Sequence, residues 1–234
     1  MYATKALRLP LNFDVARLEQ DLDRIEADEW VDHFNTAAYE RRWSCVPLRS
    51  IGGRADHIVS TDGPGYEDTP ILARCPYFRE VIDSFRCDKT SVRLMALEAG
   101  GIIKEHVDFG TCFEDGIVRL HVPIRTTPEV VFIVEGEEIH FDAGATWYLN
   151  AGARHGVRNG SGIRRVHLML DCISNAWLES MLGEAGFVTE PPPKYGDRSI
   201  TDVNVDSVIA ALRAMQTTAG AAMADRLARI RADT

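Results

Sequence analysis

A succession of short apolar segments between residues 92 and 171 constrains the fold more than any other feature of this sequence. The segments are four to eight residues long, and glycine or proline separates most of them. They cover residues 92–97, 102–106, 117–124, 130–134, 138–141, 145–149 and 164–171. Short strands at such regular intervals are typical of an antiparallel sandwich or barrel. The pattern therefore predicts a mainly β fold, a jelly roll or double-stranded β-helix barrel.

Helical periodicity flanks this β-rich region on both sides. Apolar residues recur every three or four positions in residues 14–27, 77–85, 176–185 and about 203–232. The three prolines at 191–193 fit neither a helix nor a central strand, so we place a boundary there. We expect a barrel domain with N-terminal helices at 1–190, then a linker and a C-terminal helix at 191–234. That helix is expected to pack on the barrel or on a partner subunit, as in a homodimer.

Turn residues give two further expectations. The pairs Glu135-Gly136 and Asn159-Gly160 suit tight β-hairpins. Residues 54–70, rich in Gly, Asp, Thr and Pro, predict a long loop. Loops of this length inside a compact domain are often lids or binding loops, and the alternative is a disordered excursion.

The composition excludes several classes of protein. A net charge of −9 and a pI near 5.3 argue against a nucleic-acid-binding protein, which needs a basic face. No apolar run is long enough for a membrane helix, and the first residues lack the apolar core of a signal peptide. Five cysteines without a CxxC pair indicate reduced thiols, so we expect a cytoplasmic protein.

Three residues have the spacing of a metal site. His106 and Asp108 are two positions apart, so on a strand both side chains leave the same face. His155 lies far along the chain and can complete the site from a neighbouring strand. Two imidazoles and one carboxylate on one face of an ion leave its other positions open. This is the facial triad of non-haem Fe(II) oxygenases.

Three more residues suit an anionic co-substrate. Arg165 follows His155 by ten positions and offers a planar fork of donors for a carboxylate. Arg119 and His121 share one strand face, where they can contact the co-substrate or the substrate. The alternatives are structural: an ion pair for Arg119 and a hydrogen-bonded core position for His121.

The same residues resemble the aspartyl/asparaginyl β-hydroxylase family of Fe(II)/2-oxoglutarate oxygenases. The matching pieces are Lys104-Glu-His106, Arg119-Leu-His121, His155 and Arg165-Val-His167-Leu-Met-Leu-Asp171. The resemblance covers about residues 40–175, and residues 42–49 also resemble the opening strand of bacterial proline cis-hydroxylases. It implies that His106 and His155 bind iron and that Arg165 binds the C5 carboxylate of 2-oxoglutarate. It also implies that the strand with Arg119 and His121 faces this co-substrate.

The resemblance implies a hydroxylase that consumes 2-oxoglutarate and O₂ and acts on a free amino acid or a related small molecule. Hydroxylation of Asp or Asn in a peptide or protein is the second possibility. A non-oxidative cupin enzyme or effector-binding cupin is the third, because Gly144, Asn150, Gly152, His155 and Asn159 nearly match the second cupin motif. In that motif Asn150 stands where proline is usual.

Overall fold

A computed structural model describes residues 2–61, 63–189 and 191–232 of the chain. The chain divides into two compact units, Met1–Thr189 and Glu190–Thr234. The described residues form thirteen β-strands and five α-helices. The strands are β1 (Ala6–Asn12), β2 (Val31–Asp32), β3 (Tyr39–Glu40), β4 (Trp43–Ile51), β5 (Tyr66–Asp68), β6 (Lys89–Leu97), β7 (Ile102–His106), β8 (Ile117–Arg125), β9 (Val130–Val134), β10 (Glu137–Ile139), β11 (Ala145–Leu149), β12 (His155–Asn159) and β13 (Arg165–Ile173).

The first unit contains two antiparallel sheets. The larger sheet has the strand order β1-β11-β8-β13-β6-β4-β2, with β5 paired to β4. The smaller sheet has the order β10-β9-β12-β7-β3. Consecutive strands such as β6 and β7, or β12 and β13, lie in different sheets, as in a jelly roll. The predicted mainly β jelly roll with flanking helices is confirmed.

Side chains along β13 point alternately to the two faces of the larger sheet, which contact two different hydrophobic cores. Val166, Leu168, Leu170 and Cys172 belong to an outer core, whereas Met169 belongs to an inner core with residues of both sheets. Successive side chains leave opposite faces of a strand, so Arg165, His167, Met169 and Asp171 share the inner face. A run of nine mostly buried residues therefore places polar groups inside the barrel without breaking the outer core.

Helices α1 (Val15–Leu22), α2 (Pro76–Ser84) and α3 (Ala176–Glu184) supply apolar side chains to the outer core. Asp21 of α1 accepts hydrogen bonds from the backbone N–H groups of Tyr77 and Phe78, at 2.7 and 2.9 Å. A buried carboxylate thus caps the first turn of α2. The expected helix at 14–27 is shorter than predicted, because i→i+3 bonds tighten its last turn after Asp21.

One predicted hairpin is confirmed and the other is wrong. Glu135 and Gly136 join β9 to β10 with φ of 46° and 83°, the conformation of a type I′ turn. Asn159 and Gly160 instead connect β12 of the smaller sheet to β13 of the larger sheet. Asn159 is buried and donates to the carbonyls of Leu97, Glu98 and Ile163, so its amide organises a crossover.

The predicted loop at 54–70 also needs correction, because it contains β5, which pairs with the end of β4. The rest of the segment, apart from Asp62, which lies outside the described residues, has no regular structure. Sequence reasoning missed β1 and β12. In β1 the residues Leu7, Leu9 and Leu11 alternate with Arg8 and Pro10, and a proline inside a run argues against a strand. In β12 polar residues and a glycine leave Val157 as the single large apolar residue.

The second unit has two helices where the sequence predicted one at about 203–232. They are α4 (Val205–Ala214) and α5 (Thr218–Ala232), and Gln216 between them has a φ of 52°. A left-handed residue ends a helix, so the apolar stripe is broken there. Tyr195, Val205, Ile209, Ala224 and Leu227 form a small core within this unit. That this segment packs on the barrel or on a partner subunit stays a prediction.

In the described part of the chain, no helix is both long and apolar enough to cross a membrane. All five cysteines are free thiols in this structure, and four of them are buried.

Candidate active site

His106, Asp108 and His155 lie together at one end of the inner cavity. His106 ends β7, His155 begins β12, and the two residues are direct partners in the antiparallel ladder. Their ring centroids are 4.4 Å apart, and Nε2 of His106 is 3.6 Å from Oδ1 of Asp108. One ligand atom from each residue lies within 4.8 Å of the others. The three residues thus converge as the sequence predicted, although Asp108 lies in the loop after β7 and not on the strand.

Backbone carbonyls fix the orientation of both imidazoles. Nδ1 of His106 is 2.8 Å from the Lys104 carbonyl, and Nδ1 of His155 is 2.9 Å from the Ala153 carbonyl. A carbonyl only accepts, so each Nδ1 is the protonated nitrogen and each Nε2 keeps its lone pair. A hydrogen bond of this kind on the far nitrogen is usual for histidines that bind metals.

The backbone brings the triad together through two close contacts. The Asp108 N–H donates to the Ala151 carbonyl at 2.9 Å, which joins the segment after β7 to the turn before β12. Beside His155, a Cβ on Gly156 would lie only 2.9 Å from the Ile103 carbonyl. Only glycine therefore lets β12 lie this close to β7, at the position where the ladder register shifts.

Arg119 connects the triad to a buried carboxylate on β13. Its guanidinium forms an ion pair with Asp108. It also binds Asp171 with two hydrogen bonds, from Nε to Oδ1 at 2.7 Å and from Nη2 to Oδ2 at 3.1 Å. Burial raises the pKa of Asp171, but Arg119 outweighs burial and the pKa is lowered overall. Arg119 is thus in the predicted ion pair, and its predicted contact with a co-substrate stays untested.

The six residues predicted from sequence line one cavity of about 360 Å³. His106, Asp108 and His155 come from the smaller sheet and its adjoining loop, whereas Arg119, His121 and Arg165 lie on the larger sheet. Apolar side chains form much of the remaining wall, among them Trp43, Ile58, Met95, Phe132, Leu149 and Met169. A concave apolar site with a few convergent polar groups is the usual form of a small-molecule site.

Arg165 is a buried cation without a carboxylate partner among the described residues. It is 2% exposed, and Nη2 donates a hydrogen bond of 2.9 Å to Nδ1 of His167. Its Nε–H has no partner within the described ranges, and the guanidinium lies 5.2 Å from the ring centroid of Phe132. Burial lowers the pKa of Arg165 to about 9. A buried unpaired charge is costly, and an anion in the cavity would offset that cost.

His121 is buried on the same wall, and neither of its ring nitrogens has a partner in the described part of the chain. Burial holds its pKa well below the ordinary value, and the positive charges of Arg165 and Arg119 lower it further. His121 is therefore a neutral imidazole that offers one donor and one acceptor to a ligand.

Sequence reasoning missed two charged residues of this site, Arg93 and Asp171. Arg93 on β6 lines the cavity, and Asp171 binds Arg119 from behind. Asp171 was detectable in principle, because it lies an even number of positions from Arg165 on the same strand and so shares its face. Arg93 gave no such signal, because its strand reads as a continuous apolar run in which one arginine looks incidental.

The donor set fits Fe(II) and a keto acid. Two histidines with free Nε2 atoms and one carboxylate match the ligands that non-haem Fe(II) prefers. Arg165 supplies an unpaired guanidinium for a carboxylate, at a position distinct from the triad. The residues present therefore fit both Fe(II) and the carboxylate of 2-oxoglutarate.

The fold and site together define a jelly-roll protein with a His-x-Asp…His triad. The family profile described as Aspartyl/Asparaginyl beta-hydroxylase matches residues 12–175, well over half of the chain. The chain therefore belongs to the aspartyl/asparaginyl β-hydroxylase family, and the predicted resemblance is confirmed.

Two relatives have names that specify an activity. The chain is 27% identical over 174 residues to the L-proline cis-4-hydroxylase of Rhizobium meliloti (strain 1021), covering 74% of this chain and 62% of the relative. It is 24% identical over 170 residues to L-proline cis-3-hydroxylase 1 of a Streptomyces species, covering 69% of this chain and 57% of that relative. The chain thus spans about three fifths of the length of these curated relatives.

A solved structure from Burkholderia pseudomallei, an oxidoreductase of the 2OG-Fe(II) oxygenase family, is similar to this chain. Its TM-score is 0.50 at 15% identity, covering 72% of this chain and 85% of that one. At this identity the likeness concerns the fold, which agrees with the two-sheet architecture.

The buried histidines predict a pH dependence of stability. His121 and His167 have pKa values held well below the ordinary 6.5 by burial, and burial lowers that of His155 to about 4. Below pH 6.5 these histidines bind protons in the unfolded chain but stay neutral in the folded one. The free energy of unfolding therefore falls as the pH falls. We expect each such histidine to contribute a slope of up to about 1.4 kcal/mol per pH unit.

Denaturant unfolding of the metal-free protein between about pH 7 and pH 5 measures this slope. Asp108 and Asp171 add little in that interval, because their pKa values are lowered from the ordinary 3.8. A free energy of unfolding that stays flat down to pH 5 would contradict the buried neutral histidines.

Replacement of Asp171 is expected to be strongly destabilising. Asp171→Asn removes the carboxylate that Arg119 binds with two hydrogen bonds and that Arg93 approaches at 3.4 Å. Breaking a buried ion pair by removing one partner costs about 3–5 kcal/mol, which urea unfolding at neutral pH would detect.

Asp68→Asn is the matched control. Asp68 also pairs with two arginines, Arg49 and Arg79, but its side chain is 34% exposed. Exposed pairs contribute about 0–1 kcal/mol each. Equal losses of stability in the two variants would mean that the buried ion pairs contribute no more to the free energy of unfolding than exposed ones do.

Proposed function

We propose that this chain is a hydroxylase that uses Fe(II), 2-oxoglutarate and O₂ to hydroxylate a free amino acid or a related small molecule. The observation that supports this most is Arg165, a fully buried guanidinium that lines the same cavity as the triad and has no described carboxylate partner. A cupin that bound only a metal would have no use for this charge, whose burial is costly.

Each site residue has a role that follows from its chemistry. His106, Asp108 and His155 would hold Fe(II) through two Nε2 atoms and one carboxylate oxygen. Arg165 would bind the far carboxylate of 2-oxoglutarate with two parallel N–H donors. His121, whose two ring nitrogens lack partners among the residues that the structure describes, would donate to or accept from the co-substrate. Bound together, Fe(II), 2-oxoglutarate and O₂ supply the oxidising chemistry, with succinate and CO₂ as co-products.

The rest of the cavity would orient the ligands and exclude water. Phe132 lies against the Arg165 guanidinium, and Met169 lies between Arg165 and Asp171 on the inner face of β13. Apolar walls strengthen the attraction between Arg165 and a carboxylate, because little water competes for either group.

Small substrates fit this proposal better than proteins do. Both named relatives are proline hydroxylases, and the cavity of about 360 Å³ is at the small end of the range for ligand sites. L-Proline is therefore the first compound to test. Aspartyl and asparaginyl peptides come second, because the family description names those residues.

The decisive experiment measures succinate formed from 2-oxoglutarate with Fe(II), in the presence of each free amino acid or of short Asp- and Asn-containing peptides. We expect a free amino acid to stimulate turnover, and mass spectrometry to find a product heavier by one oxygen. Anaerobic calorimetry with Fe(II) measures 2-oxoglutarate binding separately. If wild type binds no 2-oxoglutarate, the hydroxylase proposal is wrong and the cupin alternative takes its place.

A further inference from the structure

Arg93 is a second buried guanidinium in the cavity, and its side chain is 9% exposed. It donates hydrogen bonds to the Ile58 carbonyl and, at 3.1 Å, to the Ser60 hydroxyl. Its Nε–H is buried and has no partner among the described residues. Among the described residues its carboxylate partner is Asp171, whose Oδ2 lies 3.4 Å from Nη2 of Arg93.

Asp171 is shared between two arginines, and it binds Arg119 more closely than it binds Arg93. The Arg119 guanidinium binds Asp171 at 2.7 and 3.1 Å, whereas Arg93 reaches it only at 3.4 Å. Asp108 is paired with Arg119 as well. Arg119 therefore lies between two carboxylates, and Arg93 is at the edge of this network.

The charges around the cavity leave an excess of one positive charge. Three guanidinium groups, on Arg93, Arg119 and Arg165, accompany two carboxylates, on Asp108 and Asp171. An Fe(II) dication and a 2-oxoglutarate dianion would cancel each other. A ligand with one carboxylate would balance the charge that remains.

Arg93 and Arg165 are attached at separate places along the sheet, so each can bind an anionic group of its own. Arg93 is the ladder partner of Met169, which is four residues from Arg165 on β13. At the rise of a strand this separation is about 13 Å. A 2-oxoglutarate held by Arg165 therefore leaves Arg93 for a second anionic group.

We infer that Arg93 binds the carboxylate of a free amino acid substrate, with its Nε–H as a donor reserved for that group. Ser60 accepts a hydrogen bond from Arg93 and so helps to hold the guanidinium in place, while Trp43, Ile58 and Met95 supply apolar wall for the substrate side chain. The inference rests on the proposed function and adds the substrate class, an amino acid with a free α-carboxylate. It also gives Arg93 a role different from that of Arg119, whose guanidinium is already paired with Asp108 and Asp171.

The test compares an amino acid with its carboxamide, which lacks the negative charge. Wild type is loaded with Fe(II) and 2-oxoglutarate under anaerobic conditions, and calorimetry measures the Kd of L-proline and of L-prolinamide. If another free amino acid stimulates more succinate formation, that amino acid and its amide replace the pair. We expect wild type to prefer the acid by about 30-fold or more, as for other buried charge pairs.

In Arg93→Gln we expect the preference for the acid to vanish, with the Kd of 2-oxoglutarate unchanged. That unchanged Kd also shows that the variant is folded. Arg93→Lys should keep part of the preference, because it keeps the charge but not the planar fork. Arg158→Gln, which alters an exposed pair with Glu138, is the control and should match wild type.

Two results would overturn the inference while leaving the hydroxylase proposal intact. One is an Arg93→Gln variant that still prefers the acid as strongly as wild type does. The other is a wild type that binds 2-oxoglutarate and turns over an amidated peptide but no free amino acid. Failure of the hydroxylase proposal looks different, because wild type would then bind no 2-oxoglutarate.

Discussion

His155→Ala is expected to abolish both iron binding and turnover. The substitution removes one of two imidazoles whose Nε2 atoms are free for a metal, and it leaves His106 and Asp108 alone. Even an outer partner of a metal ligand commonly affects metal affinity 10–100-fold, so we expect loss of a ligand to cost about 100-fold or more. Anaerobic calorimetry with Fe(II) or Mn(II) measures the affinity directly, without any assumption about the substrate.

His140→Ala is the matched control for this variant. His140 is a half-buried histidine whose Nδ1 lies 2.9 Å from the Val130 carbonyl, so its local contact resembles that of His155. It is outside the set of residues that lines the cavity. We expect His140→Ala to keep iron binding. Full iron occupancy and turnover in His155→Ala would instead show that the triad is misassigned.

The six site residues were predictable because strand geometry converts sequence spacing into direction. Arg119 and His121 leave one face of β8 at i and i+2. Asp108 instead lies in the loop just after β7, where its N–H donates to the Ala151 carbonyl. The structure brings all of them to one cavity with His155 and Arg165. The jelly roll was predictable for the same reason, since its strands are short, apolar and separated by turn residues.

The remaining features depend on pairing between distant strands, which a single sequence does not specify. Asn159-Gly160 has the local pattern of a hairpin, but the buried Asn159 amide binds three carbonyls at a crossover between the sheets. Gly156 gives no sign in the sequence that it lies against the Ile103 carbonyl. Tertiary contacts decide both positions.

The partners of a buried charge are likewise not specified by a single sequence, as Arg119 shows. Its spacing with His121 predicted only that it faces the interior, and left open whether it contacts a ligand or an ion pair. The ladder places it directly opposite Asp171, so a bidentate pair forms across the two strands. Arg93, on the far side of β13, lies opposite Met169 and reaches Asp171 only through one contact of 3.4 Å. The strand register thus decides how closely each arginine approaches Asp171.

Arg165→Ala is expected to raise the Kd and KM for 2-oxoglutarate strongly while iron binding survives. Arg165 is fully buried and lacks a described carboxylate partner, so a bound carboxylate would form its principal ion pair. Losing a buried charge-assisted pair costs about 2–5 kcal/mol, which is about 30-fold or more in affinity. Iron binding survives because a guanidinium has no lone pair for a metal. Anaerobic calorimetry measures both affinities on the same sample.

Arg164→Ala is the control, because Arg164 is the neighbouring residue but contacts the Trp30 ring and Glu98 instead of the cavity. We expect it to bind 2-oxoglutarate as wild type does. Arg165→Lys should recover only part of the affinity, since an ammonium cannot form two parallel hydrogen bonds. If Arg165→Ala binds 2-oxoglutarate as tightly as wild type, the carboxylate is held elsewhere. Arg119 then becomes the candidate, and its ion pairs with Asp108 and Asp171 would have to open for the co-substrate.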